Sequence, residues 1–252
     1  MKKTVLIALC VILFWLTTND DHTLAIADTK QITLAVGLSL PPYIIAEQNI
    51  GIEFDIVREA LAYKGYVFKP KYVPQGRRII EFTSGKVDGT LLIQEDQSIQ
   101  AFFSDIYIVY QNIAVSLTKN NFVINSIPDL KNRSIMAFQF ANRLLGDEFG
   151  HMANANAQYQ EIPNQMLQIN LLYAGRIDTI VLDKNIFYYY RKQNQTVDKT
   201  LPITIHNIFP PTPYKIAFKE QKVRDDFNLG LQHLRSENRY EKIIRSYIEE
   251  KP

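Results

Sequence analysis

Cysteine and tryptophan are almost absent from this sequence of 252 residues, which contains one of each, Cys10 and Trp15. Both lie in an apolar run near the N-terminus. A lone cysteine cannot form a disulfide within the chain, so a protein of this length must be held together by its hydrophobic core. Because no cysteine follows Cys10, thiol catalysis and cysteine-ligated zinc are excluded from the rest of the chain.

Histidine is also scarce, and the four histidines stand singly at His22, His151, His206 and His233. No two of them have the short spacing with which histidines on one helix bind a metal. We therefore expect neither a bound metal nor a cofactor.

The sequence has no strong excess of charge of either sign, since 28 Lys and Arg are balanced by 26 Asp and Glu. Hydrophobic residues make up 46% of the chain and charged residues 21%. This composition excludes a disordered or fibrous protein, and nucleic acid is not an expected partner. The length suits one large domain or two smaller ones.

Only one long apolar run is present, from Val5 to Leu16, between Lys2-Lys3 and a polar stretch that ends at Ala27. The run is shorter than the roughly twenty residues that cross a bilayer as a helix. A basic start, a short apolar run and small residues are typical of a secretory signal. We predict that residues 1–27 are a cleaved signal peptide and that the protein is periplasmic; the alternative is an uncleaved N-terminal anchor.

Strand and helix patterns alternate in the chain that follows. Short apolar runs predict strands at Ile32–Val36 and Gly89–Ile93, and an alternating pattern predicts one at Val67–Val73. Helices are predicted at Ile52–Lys64 and Arg77–Ser84. This alternation predicts an α/β fold with a mostly parallel sheet covered by helices on both faces.

A segment of this pattern occurs twice, at Ser84–Ile93 and again ninety residues later at Ala174–Asp183. Both copies read as the end of a helix, a glycine, a basic residue, an aspartate and a buried strand. The repetition predicts two lobes of similar build. The alternative explanation is coincidence, because turns of this kind are common between a helix and the strand that follows it.

Two extended segments are placed to connect the lobes, Ile108–Thr118 and Ile203–Phe209. A lobe that is interrupted by a second lobe and joined to it by two strands forms a hinge with a cleft, where small ligands bind. We predict that residues 28–113 and 206–252 form lobe 1 and that residues 114–205 form lobe 2.

Seven short motifs are similar, in sequence and in order, to those of the bacterial extracellular solute-binding proteins, family 3. They are Pro41-Pro42-Tyr43, Glu53-Phe54-Asp55-Ile56, Ser84-Gly85-Lys86-Val87-Asp88, Phe103-Ser104-Asp105-Ile106-Tyr107, Asp129-Leu130-Lys131, Gly175-Arg176-Ile177-Asp178 and Tyr240-Glu241-Lys242-Ile243-Ile244. The resemblance implies a two-lobed type II periplasmic-binding-protein fold with a discontinuous first lobe and a hinge of two crossing strands. It implies a monomer that closes on a small polar solute, usually an amino acid, and hands it to an ABC permease.

The resemblance also implies ligand residues. Tyr43 matches the family's aromatic residue that stacks on the ligand, although a ring packed in the core is the alternative. Asp183 matches the acidic residue that accepts the ligand's amino group, although it is also placed to cap a helix that begins at Lys184. We predict that both lie at the rim of the cleft and contact the solute.

The sequence departs from the family where a carboxylate would bind. Gln97 stands in place of the arginine that holds the α-carboxylate, and the neighbouring Glu95 and Asp96 would repel an anion. In the second lobe Asn142 is available to cap a helix and Arg143 is a candidate to enter the cleft. An exposed arginine is the alternative for Arg143.

Arg77 and Arg78 also lie near the predicted cleft, and of the two we select Arg77 as the candidate. The acidic residues favour a cationic or neutral solute, whereas the arginines favour an anion, so the charge of the solute stays open. A solute receptor for uptake is the expected function. The alternatives are a periplasmic sensor or accessory protein and a dehydratase-like enzyme on the same fold.

Overall fold

The computed structural model describes residues 30–94 and 98–249. The predicted signal peptide and the segment with Glu95, Asp96 and Gln97 lie outside the described residues. Eleven strands occur in the described part of the chain: β1 (Gln31–Val36), β2 (Val67–Tyr72), β3 (Gly89–Ile93), β4 (Phe102–Phe103), β5 (Ile108–Tyr110), β6 (Asn112–Leu117), β7 (Ile135–Phe138), β8 (Tyr159–Ile162), β9 (Thr179–Asp183), β10 (Ile203–His206) and β11 (Thr212–Phe218).

Eight α-helices accompany these strands in the same part of the chain. They are α1 (Ile52–Ala62), α2 (Arg78–Thr83), α3 (Ala141–Leu144), α4 (Asp147–Asn154), α5 (Gln165–Tyr173), α6 (Lys184–Gln193), α7 (Gln221–Ser236) and α8 (Arg239–Ile248). Among residues 30–94 and 98–249, no helix combines the length and apolar character that a membrane crossing needs.

The strands form two sheets. The first has the order β2-β1-β3-β11-β4, with β5 paired to β11, and the second has the order β10-β6-β9-β7-β8. β1 is parallel to β2 and β3, whereas β11 is antiparallel to its neighbours. The chain therefore leaves the first sheet after β5 and returns to it with β11, as a discontinuous first lobe requires.

The predicted helices and strands are close to the observed ones. α1 begins at Ile52 as expected and ends at Ala62, two residues early, before Gly65 with φ of +78°. The predicted helix at Arg77–Ser84 is α2 preceded by a turn of 3-10 helix over Gln75–Arg77. The predicted extended segment Ile108–Thr118 is two strands that separate at Gln111, one in each sheet.

The repeated segment has the same structure in both copies. Gly85 and Gly175 both adopt positive φ, +80° and +65°, which a side chain disfavours. An aspartate follows each glycine and bonds to the neighbouring strand of its sheet. Asp88 accepts the N–H of Thr33 in β1 at 2.7 Å, and Asp178 accepts the N–H of Ser134, directly before β7, at 2.9 Å. The repeat therefore builds the same junction in each sheet, before β3 and before β9.

Candidate functional site

Tyr43 lies in the loop between β1 and α1 and is completely buried. Its backbone carbonyl accepts the N–H of Glu53 at 3.1 Å, which ties the loop to the first turn of α1. Its ring stacks on Tyr110 with 4.0 Å between ring centroids, and its hydroxyl donates to Asp183 Oδ1 at 2.8 Å. Tyr43 is therefore buried between the two sheets, which corrects its predicted place at an exposed rim, and its contact with a solute stays a prediction.

Asp183 ends β9 and is the N-cap of α6, as the sequence allowed. Its Oδ1 accepts the N–H of Asn185 at 2.8 Å and of Ile186 at 3.2 Å, and its Oδ2 accepts the N–H of Gln111 at 2.9 Å. Burial raises the pKa of Asp183, and the bonds from the Tyr43 hydroxyl and these N–H groups oppose the rise. Asp183 is 4% exposed, which corrects its predicted place at an exposed rim as well, and its contact with a solute stays a prediction.

Arg77 and Arg143 are both exposed. The Arg77 side chain is 63% exposed and comes only within 3.9 Å of Glu81 Oε1. The Arg143 guanidinium lies 4.5 Å from the centroid of the Phe140 ring. Gln97, the third candidate for this role, lies outside the described residues. The structure thus brings Tyr43 and Asp183 together and leaves the two arginines on the surface.

A cavity of about 460 Å³ lies at the C-terminal end of β3. This is the edge at which α/β sheets bind ligands, and the volume is in the range of small-molecule sites. The residues that line it are Gln75, Arg78, Ile79, Thr90, Leu91, Leu92, Ile93, Gln94, Ile99 and Tyr214. Of the predicted site residues that the structure describes, Tyr43, Arg77, Arg143 and Asp183, none is in this lining.

Arg78, the neighbour of the predicted Arg77, is the charged residue of the lining. It is 7% exposed, and its guanidinium donates to the carbonyl of Leu91 at 2.6 Å. Its buried Nε has no hydrogen-bond partner. Helical spacing indicated that Arg78 is buried, since it stands four residues before Phe82 and therefore on the same, buried face of α2.

Behind the cavity, Glu53 is a completely buried carboxyl. It accepts the hydroxyl of Tyr107 in a short bond and that of Tyr110 at 3.3 Å. Burial raises the pKa of Glu53 to about 7, against the bonds from the tyrosines and the positive charge of Arg78. Tyr107 also accepts the N–H of Leu92, at 3.1 Å, and so joins Glu53 to the cavity wall.

Leu92 and Phe140 adopt positive φ, +50° and +70°, in a region that bulky side chains disfavour. Leu92 is in the cavity wall, and Phe140 stands at the end of β7 in the second sheet. The N–H groups of Phe140 and Asn142 donate to the carboxylate of Glu161 at 2.6 and 2.9 Å. Asn142 therefore does not cap α3 as its sequence position allowed; Glu161 takes up these donors.

Glu161 also accepts the hydroxyl of Tyr159 at 2.8 Å. Burial acts to raise the pKa of Glu161, but the bonds from the Asn142 N–H, Tyr159 and the Phe140 N–H outweigh it and lower the pKa. The carboxylate is thus ionised and fully engaged within the chain. In the described residues, no group of three or more His, Cys, Asp or Glu side chains is placed to hold a metal.

The model of one protein family, the bacterial extracellular solute-binding proteins, family 3, matches residues 32–250. The chain belongs to this family. The ABC transporter glutamine-binding protein GlnH of Bacillus subtilis (strain 168) is 24% identical to it over 188 residues. That match covers 72% of this chain and 65% of GlnH, slightly less than two thirds of the relative's length.

Solved structures share the family 3 fold. An ancestral arginine-binding protein bound to arginine has a TM-score of 0.61 and 22% identity, over 86% of this chain and 97% of that one. Substrate binding domain 2 of GlnP from Lactococcus lactis, in an open conformation, has a TM-score of 0.65 and 20% identity, over 89% of this chain and 98% of that one. The predicted two-lobed α/β fold is confirmed.

Proposed function

We propose that the chain is a periplasmic solute-binding protein that captures a small polar solute and hands it to an ABC permease. The observation that carries the proposal is the cavity at the edge of the first sheet, which has the size of a small-molecule site and a buried arginine with an unused donor. The names of GlnH, GlnP and the arginine-binding protein support the same role.

We further propose that the two sheets are the cores of two lobes that close on the solute. The division of the strands supports this, because β1–β5 and β11 share one sheet and β6–β10 share the other. The boundary after residue 113 lies inside β6, so the hinge is better placed at Gln111 and at residues 207–211, where the chain passes between the sheets.

A thermal-shift screen of the purified protein tests solute binding. The panel contains amino acids, amines, short peptides and organic anions. A ligand present at about a hundred times its dissociation constant adds roughly 2.7 kcal/mol, which raises the melting temperature by about 5 to 10 °C for a chain of this size. A clear shift with one chemical class supports the proposal, and no shift with any class contradicts it.

Uptake in a deletion strain separates transport from sensing. If the protein serves a permease, deleting its gene should abolish uptake of the solute found in the screen. Unchanged uptake with an altered transcriptional response to that solute would favour the sensor. Conversion of the solute by the purified protein would instead show an enzyme.

A further inference from the structure

We propose that the solute carries an anionic group that Arg78 binds, and that binding requires no ammonium group on the solute. This inference rests on the proposed solute-binding function. It concerns the cavity at the end of β3 and names the chemical class of molecule that this cavity accepts.

Arg78 carries a buried positive charge that has no ion-pair partner among the described residues. The residue is only 7% exposed, yet within the described residues its guanidinium forms no ion pair with a carboxylate. Buried charges in proteins are normally paired, because an unpaired one is costly to remove from water. The described lining of the cavity contains no acidic residue that could pair with it.

Glu53 does not supply the missing partner. Its two oxygens accept the hydroxyls of Tyr107 and Tyr110, and no described hydrogen bond joins it to Arg78. With its pKa raised by burial to about 7, Glu53 is only partly ionised at neutral pH. Among the described residues Arg78 thus has no fully charged carboxylate as an ion-pair partner, and a bound anion would supply one.

The buried carboxylate that the sequence suggested for an ammonium group, Asp183, is already occupied by donors of the chain. Asp183 already accepts four donors, from Tyr43, Asn185, Ile186 and Gln111. Its 4% exposure leaves little room for a fifth. An ammonium group would have to displace a buried bond to reach Asp183, which is unfavourable.

Glu161, the carboxylate at the edge of the second sheet, is engaged in the same way. It accepts the N–H groups of Phe140 and Asn142 and the hydroxyl of Tyr159. Because the chain's own carboxylate occupies these N–H donors, they are also not available to a solute's carboxylate. Arg78 is thus the charged side chain of the described cavity lining that still has a hydrogen-bond donor without a partner.

The rest of the lining fits a small anion with a short, partly apolar body. Gln75, Thr90 and Gln94 offer polar groups, and Ile79 and Ile99 offer apolar surface. An amide or hydroxyl can satisfy a polar substituent on the solute without adding charge. The cavity therefore favours a small organic carboxylate.

Matched compounds test this class directly on the wild-type protein. The panel is L-arginine and L-glutamine, their counterparts without the α-amine (δ-guanidinovalerate and glutaramate), their counterparts without the α-carboxylate (agmatine and γ-aminobutyramide), and short-chain organic carboxylates. We expect that carboxylates without an amine raise the melting temperature and that agmatine and γ-aminobutyramide do not. Stabilisation by the amines alone, or only by compounds that carry both groups, would overturn the inference and leave solute binding intact. No stabilisation by any compound would count against both the inference and the proposed function.

Variants of Arg78 test the residue. With the best carboxylate of the panel measured by isothermal titration calorimetry, R78Q should weaken binding by about 10- to 100-fold, the effect of losing one charge-assisted contact. R78K, which keeps the charge but not the planar fork, should bind with intermediate affinity. R77Q is the matched control on the exposed neighbour and should bind within about threefold of the wild type. Circular dichroism checks folding, and unchanged affinity in folded R78Q or R78K would overturn the assignment.

Discussion

At the scale of single residues, the bond between Tyr43 and Asp183 links the loop after β1 to the end of β9, and so joins the two sheets. Removing the hydroxyl with Y43F should lower the free energy of unfolding by roughly 1 to 3 kcal/mol, the value of a buried bond to a charged acceptor. D183N should cost a similar or larger amount because it also weakens the cap of α6. Urea unfolding of Y43F, D183N and the double variant measures the interaction energy between the two side chains.

Y189F is the control for this cycle, since the Tyr189 hydroxyl has no hydrogen-bond partner among the described residues. Its free energy of unfolding should stay within about 0.5 kcal/mol of the wild type. If the losses from Y43F and D183N simply add, the two side chains do not interact in solution.

Glu53 is the residue whose ionisation should depend most visibly on folding. Burial raises its pKa from the usual 4.5 to about 7, so the folded protein keeps a proton that the unfolded chain releases. The contribution of Glu53 to stability is therefore greatest at low pH and falls as the pH rises from 4.5 to 7, by roughly 3 kcal/mol. E53Q does not titrate, so the stability of the wild type relative to E53Q should fall by that amount between about pH 4 and about pH 8.

Urea unfolding at the two pH values measures the difference. E241Q, at an exposed position of α8, is the matched control and should follow the wild type. A constant difference between wild type and E53Q across the range would show that Glu53 ionises normally in the folded protein.

At the scale of elements, α7 packs so closely on α1 that Gly230 leaves no space for a side chain. A Cβ at this position would overlap the backbone carbonyl oxygen of Ala60. G230A should therefore push the helices apart and lower the free energy of unfolding by roughly 1 to 3 kcal/mol or more. G76A is the control, since nothing lies within 4 Å of its Cβ position; equal stability of the two variants would contradict the close packing.

The elements show how far local sequence patterns predict this fold. α1 and the junctions at Gly85 and Gly175 were predictable because their signals, helical spacing and a glycine before a strand, lie within a few residues. The site was less predictable. Local sequence did not separate Arg77 from Arg78, because both are charged and only their positions at the start of the short α2 leave one exposed and place the other in the buried cavity lining.

Contacts between distant segments account for the remaining differences. Glu161 reaches the N–H groups of Phe140 and Asn142 from another strand, and nothing in the local sequence of either segment indicates the bond. The burial of Tyr43 likewise depends on Tyr110, which arrives from a strand far along the chain. The types and order of the residues thus predicted the family. The contacts between side chains from distant segments became known only from the structure.

At the scale of the whole molecule, the two sheets are connected by few polar contacts besides the chain itself. Tyr43 bonds to Asp183, and Lys192 on α6 donates to the carbonyls of Ser246 and Tyr247 at the end of α8, at 3.2 and 3.4 Å. The contacts of Lys192 lie near the surface, and contacts of that kind contribute little to stability. The proposed closure on a solute would therefore have to rearrange few polar contacts between the sheets.

Closure on the solute should make the molecule more compact. We expect small-angle scattering to show a smaller radius of gyration at saturating concentration of the best carboxylate, approaching the roughly 17 Å of a compact protein of this length. R78Q at a concentration that only just saturates the wild type is the control, because a variant with about 10- to 100-fold weaker binding is then mostly unbound and should show a clearly smaller decrease in radius. An unchanged radius for saturated wild type would mean that the solute binds to one lobe and that the hinge between β5 and β6 does not move on binding.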